Sequence, residues 1–96
     1  MVRFNKDELY FIEGYKNYVR LWTSSGKTLL HSTMKSMEDR FCDDAQFMRI
    51  SKSYIVNLRF ISEVDGNCIR VGHETLMIGA TYRDEVKTWL ERYYLR

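Results

Sequence analysis

Phe47-Met48-Arg49-Ile50-Ser51-Lys52-Ser53-Tyr54-Ile55-Val56-Asn57-Leu58 is the stretch on which the reading of this chain turns. Two apolar runs rich in aromatic and β-branched residues are separated by three small or charged ones. Side chains of that kind suit a pleated, half-buried surface, so the stretch reads as strand, polar turn, strand. Tyr54, Val56 and Leu58 alternate along the second run and are expected in the core. The apolar character continues through Phe60 and Ile61 to Val64, and Asp65-Gly66-Asn67 then supplies a turn from residues that tolerate positive φ.

The same grammar extends in both directions. Upstream, Leu9-Tyr10-Phe11-Ile12 reads as a buried strand, Gly14-Tyr15-Lys16-Asn17 as a polar turn, and Tyr18-Val19-Arg20-Leu21-Trp22 as a second strand. Thr23-Ser24-Ser25-Gly26 forms a hairpin loop into a third strand at Lys27–His31. Thr33 can cap a short helix whose Met34, Met37 and Phe41 recur at helical spacing, with Glu38, Asp39 and Arg40 outside and Cys42-Asp43-Asp44-Ala45 ending it. Downstream, Cys68–Val71 and Thr75–Ile78 form a hairpin around Gly72-His73-Glu74. Thr81-Tyr82-Arg83-Asp84 resembles a capping box before a last helix that carries Val86, Trp89, Leu90 and Tyr93 on one face. That stripe needs a partner, and the edge or end of the sheet is the simplest one. The chain is therefore mainly β, with a short internal helix and a C-terminal helix.

Ninety-six residues with 45% hydrophobic content and no proline are enough for one core, and no linker divides the chain. We expect a single domain over residues 1–96. No apolar run approaches the roughly 18 residues that a membrane span requires, and the first residues do not resemble a signal sequence, so a cytoplasmic location is expected with no membrane contact from this segment. Cys42 and Cys68 lack any CxxC or histidine at ligand spacing, which points to plain thiols in a reducing compartment and to no metal. His31 and His73 read as structural or surface residues. Phosphate-loop, dinucleotide and hydrolase motifs are missing, and the acid pairs Glu38-Asp39 and Asp43-Asp44 sit in loops or on an outer helix face. The sequence thus suggests neither an enzyme nor a cofactor.

Net charge is only +2, but its distribution is uneven: residues 14–35 hold four bases and no acid, and residues 46–61 hold three bases and no acid. Two such stretches on one face would attract a polyanion, although lysines on strand edges also simply discourage aggregation. Three polar interruptions carry the donors: Lys16-Asn17, Ser51-Lys52-Ser53 and Thr81-Tyr82-Arg83. Amide, ammonium, hydroxyl and guanidinium groups suit phosphate oxygens and base edges. Read by themselves, the three segments are equally well loops joining strands.

Leu9-Tyr10-Phe11-Ile12-Glu13-Gly14, Asn17-Tyr18-Val19 and above all Phe47–Leu58 resemble the LytTR family of DNA-binding domains, and the match runs in order over almost the whole chain. The resemblance implies elongated antiparallel sheets with short helices and no helix-turn-helix, with turns along one side entering successive grooves of bent duplex DNA. It implies the output domain of a bacterial two-component response regulator, excised from a longer chain with a receiver domain, which acts on promoter repeats and can pair on DNA. It assigns the contacts to Lys16 and Asn17, to Ser51, Lys52 and Ser53, and to Thr81, Tyr82 and Arg83. Of these, Asn17, Lys52 and Arg83 are the candidates for base edges, and Lys16, Ser51, Ser53 and Thr81 for phosphates. Two positions depart from the family pattern: its usual histidine is Ser51 here, and its usual Ser-Arg before the last helix is Thr81-Tyr82, with the arginine following at Arg83. The alternative is a small β module that binds RNA or single strands, with Tyr15, Tyr18 or Trp22 as stacking platforms, or that docks a protein partner.

Overall fold

A computed structural model describes residues 5–93, which form eight strands and two helices. Strands β1 (Leu9–Tyr15), β2 (Tyr18–Thr23) and β3 (Gly26–His31) make a meander. Helix α1 (Met34–Phe41) follows, then β4 (Phe47–Arg49) and β5 (Tyr54–Asn57). A second meander, β6 (Ile61–Asp65), β7 (Cys68–Val71) and β8 (Glu74–Met77), leads to α2 (Arg83–Glu91). The first sheet has the order β3-β2-β1-β5-β4 and the second β6-β7-β8, and every pairing is antiparallel. Principal extents of 42 × 25 × 23 Å make the molecule elongated.

The central strands of the larger sheet are covered on both faces. One face of β1, β2, β4 and β5 sends Leu9, Ile12, Val19, Leu21, Phe47 and Ile55 against Met37 and Phe41 of α1. On the other face Phe11 and Val56 pack on Ile69, Val71 and Leu76 of the second sheet and on Val86, Trp89 and Leu90 of α2. Val56 is fully buried as its alternation suggested, while Tyr54 and Leu58 are half-buried against the same cluster. Alternation alone misses that Ile55 and Asn57 are buried too, because α1 roofs the face that would otherwise be solvent.

The long apolar run from Tyr54 to Val64 is not one strand. Leu58–Phe60 form a 3-10 turn in which the chain leaves one sheet and starts the other. Asn57 holds this pivot: its Oδ1 accepts from the Arg59 N–H and from Gln46 Nε2, both at 3.0 Å, and its Nδ2 donates to the Leu9 carbonyl at 2.8 Å. A fully buried amide with all these partners repays its own desolvation.

Thr33 caps α1 as expected, accepting from the Ser36 N–H at 3.0 Å. The capping box before α2 does not form. Ala80–Tyr82 are a 3-10 turn, and no side chain caps the first turn of α2, where Asp84 and Glu85 instead complement the helix dipole. The α2 stripe does find the sheet edge, since α2 packs on β4 and Trp89 Nε1 donates to the Ala45 carbonyl at 2.6 Å. Tyr93, placed on the same stripe by spacing, lies beyond the helix end and stays 49% exposed.

Candidate nucleic-acid interface

The β1–β2 hairpin closes on two residues, Lys16 and Asn17, between the paired Tyr15 and Tyr18. Lys16 takes φ 57°, a left-handed conformation that costs a side-chain-bearing residue about 1 kcal/mol or more. Both turn residues are exposed. Because β1 runs antiparallel to β5, with Glu13 opposite Tyr54, the end of β1 lies beside the start of β5. The Gly14 N–H donates to the Ser53 carbonyl at 2.8 Å, which fastens the first turn to the second.

That second turn, Ser51–Ser53, is built from within. Ser51 Oγ accepts from the N–H groups of Ser53 and Tyr54, each at 3.1 Å. The residue where the family pattern has histidine is thus half-buried and caps its own turn, with only its hydroxyl proton left to offer outward. Arg49 lies beneath the turn: Nε donates to the Ser51 carbonyl at 3.1 Å, one terminal nitrogen to the Lys52 carbonyl at 2.9 Å, and the other to Glu38 Oε1 at 3.0 Å. Lys52 and Ser53 are exposed.

The third segment reaches the same place by close backbone approach. The Gly79 N–H donates to the Ile50 carbonyl at 2.8 Å. A Cβ on Gly79 would lie 3.3 Å from both Cα and Cβ of Ser51 and 3.1 Å from the Tyr82 ring, so glycine lets the chain close against the second turn. Thr81 and Arg83 are exposed, and Tyr82 is half-buried with its ring packed on the core. The first two segments are thus fastened to each other at one end of the five-stranded sheet, and the third begins beside Ser51 at Gly79, while Arg83 lines a cleft between α2 and β6 with Glu63 and Lys87.

The three candidate cations are not ion-paired among the described residues. The ion pairs among the described residues are Lys6–Asp44, Arg20–Glu13, Lys35–Asp39 and Arg49–Glu38, and none involves Lys16, Lys52 or Arg83. Residue type and spacing do not reveal Glu38 and Arg49 as partners, since Glu38 reads as a solvated acid and Arg49 as part of a free basic stretch. Only the fold brings them together across 11 residues. Trp22, one of the suggested stacking platforms, is half-buried against the core, stacked on Phe11 at 5.4 Å, donating to Glu13 at 3.1 Å and covered by Lys27 at 5.0 Å. Tyr15 and Tyr18 are partly exposed, but Arg20 sits 3.9 Å from the Tyr15 ring and His31 meets Tyr18 edge-on. The Cys42 thiol is pushed up to about 11, mainly by burial and next by Glu38, which leaves little thiolate near neutrality.

Polar, donor-bearing segments thus lie on a scaffold of two antiparallel sheets and two helices. A profile of the LytTr DNA-binding domain matches residues 1–91. The chain belongs to the LytTr DNA-binding domain family. Among solved structures it is similar to the LytTr DNA-binding domain of a Bacillus cereus protein described as a methyl-accepting/DNA response regulator, with a TM-score of 0.83 over 93% of this chain and 86% of that one. At 14% identity this likeness is one of fold. A search of curated proteins finds no match. No helix among the described residues is long and apolar enough to cross a membrane.

Proposed function

We propose that this domain binds double-stranded DNA sequence-specifically to regulate transcription, as the output domain of a longer two-component response regulator that carries a receiver domain. The observation that supports this reading is that the Lys16-Asn17 turn is fastened to Ser51–Ser53 through Gly14, while Gly79, just ahead of Thr81–Arg83, closes on the same turn. Asn17, Lys52 and Arg83 read base edges, where amide and cationic donors meet purine acceptors in the major groove. Lys16, Ser53 and Thr81 hold phosphates, and so does the Ser51 hydroxyl through its remaining proton. Tyr82 serves by packing, setting the path of the third segment over Gly79. The acids Asp84 and Glu85 repel a phosphate from the first turn of α2, so the third contact falls to Arg83 and the residues before it rather than to the helix dipole.

Selection of bound duplexes from a random pool, followed by competition against random DNA and against single strands, tests the reading. The expected result is a recurring sequence bound about a thousandfold or more over random duplex, with affinity falling steeply as salt rises. Preference for single strands, or binding that ignores both sequence and salt, would contradict it.

A further inference from the structure

The turn at Ser51–Ser53 exposes only part of its machinery, and its shape depends on a side chain that lies mostly beneath the surface. Arg49 is 16% exposed, and each of its three guanidinium nitrogens already has an acceptor: two successive carbonyls of the turn and the carboxylate of Glu38 on α1. A planar guanidinium suits such a fork, whereas an ammonium cannot span the same three positions from a shorter stem. Turning both carbonyls inward has a consequence for the outer surface. Carbonyl oxygens repel a polyanion, and here they face the half-buried Arg49 guanidinium instead. Across a planar trans peptide the N–H points opposite the carbonyl, so the Lys52 N–H is directed away from the guanidinium, while the Ser53 N–H is held by Ser51 Oγ. Glu38 fixes the guanidinium from the helix side, and α1 is itself anchored in the core by Met37 and Phe41.

We propose that Arg49, braced by Glu38, is a positioning residue that sets the shape of the Ser51–Ser53 turn and thereby the discrimination between DNA sequences. The proposal rests on the reading that this turn meets DNA. Neither residue touches the duplex. They act by keeping Lys52 and the turn backbone in one geometry, so that the ordering is complete before DNA arrives.

Glu38→Gln gives a test in which two explanations differ in sign. If Glu38 acted on DNA only through its charge, removing a negative charge near a polyanion would tighten binding to every duplex. As a brace, its loss lowers affinity for the selected site relative to random duplex by about tenfold, the scale of one charge-assisted hydrogen bond. The experiment measures this ratio, and the salt dependence of binding, for wild type, Glu38→Gln and Arg49→Lys, each checked for native circular dichroism. Amide exchange and chemical shifts of Lys52, Ser53 and Tyr54 are recorded without DNA. A reduced ratio for both variants, an unchanged salt slope and faster exchange at the turn are expected. An undiminished ratio in Glu38→Gln, or an undisturbed turn, overturns the proposal. So does a salt slope lowered by about one phosphate in a further variant, Arg49→Gln, but not in Arg49→Lys, since Arg49 would then be a direct phosphate ligand. Wild-type protein that shows no discrimination among duplexes overturns the DNA reading itself, and is recognised before any variant is compared.

Discussion

At the scale of single residues, two side chains with opposite environments carry much of the architecture. Asn57 is fully buried at the point where the chain passes between sheets, and it satisfies Leu9, Gln46 and Arg59 at once. Replacing it with Ala strands a carbonyl and two donors, so Asn57→Ala is expected to destabilise the domain by about 2–4 kcal/mol in urea unfolding. A loss below 1 kcal/mol would show that the pivot holds without the amide. Lys16 is the converse case, an exposed residue whose backbone is strained at φ 57°. Lys16→Gly relieves that strain while adding unfolded-state freedom, so stability should change by no more than about 1 kcal/mol. DNA affinity should nonetheless fall, with a salt slope about one unit shallower. If stability and binding fell together, the lysine would be a structural residue and not a phosphate contact.

At the scale of elements, α1 and α2 each bury a stripe, but they do different work. Roofing by α1 seals one face of the large sheet and presents Glu38 to Arg49. It also shelters Cys42, whose raised thiol leaves little thiolate near neutrality. Alkylation of Cys42 in the native protein at pH 8 should be roughly a hundredfold slower than that of an unperturbed thiol, and should recover in denaturant. Labelling at the full rate would place α1 off the sheet. Most of these elements were legible in the sequence because strands with alternating or continuous apolar runs, separated by polar turns, have few other readings. The break at Leu58–Phe60 was hidden, since its residues are as apolar as the strands they join and only the buried Asn57 marks the bend. The failed capping box had a similar cause. Thr81 has the right spacing but lies inside a 3-10 turn, and the first turn of α2 is stabilised by Asp84 and Glu85 instead. For the site, the exposed donors could be read from residue type and from the family resemblance, because turns advertise themselves by polarity. The support beneath them could not, since the partnership of Arg49 with Glu38 depends on how α1 packs beside β4.

At the scale of the whole molecule, the longest dimension of 42 Å is close to one turn of duplex, about 34–36 Å. Even laid lengthwise on the duplex, one copy is expected to protect no more than about 12 base pairs, the length that 42 Å spans at about 3.4 Å per pair. Protection of 20 or more pairs by a single copy would mean that DNA wraps surfaces outside the turn cluster. The central claim is that the three donor-bearing segments meet one duplex together. Equilibrium binding of the selected duplex by Lys16→Ala, Lys52→Ala and Arg83→Ala, each with native circular dichroism, tests this most directly. Each variant should bind more weakly, by about 1–3 kcal/mol where a base contact is lost. Lys52→Ala and Arg83→Ala should relax discrimination at different base pairs, and Lys16→Ala should weaken binding evenly across sequences. Wild-type affinity in all three variants would contradict the claim.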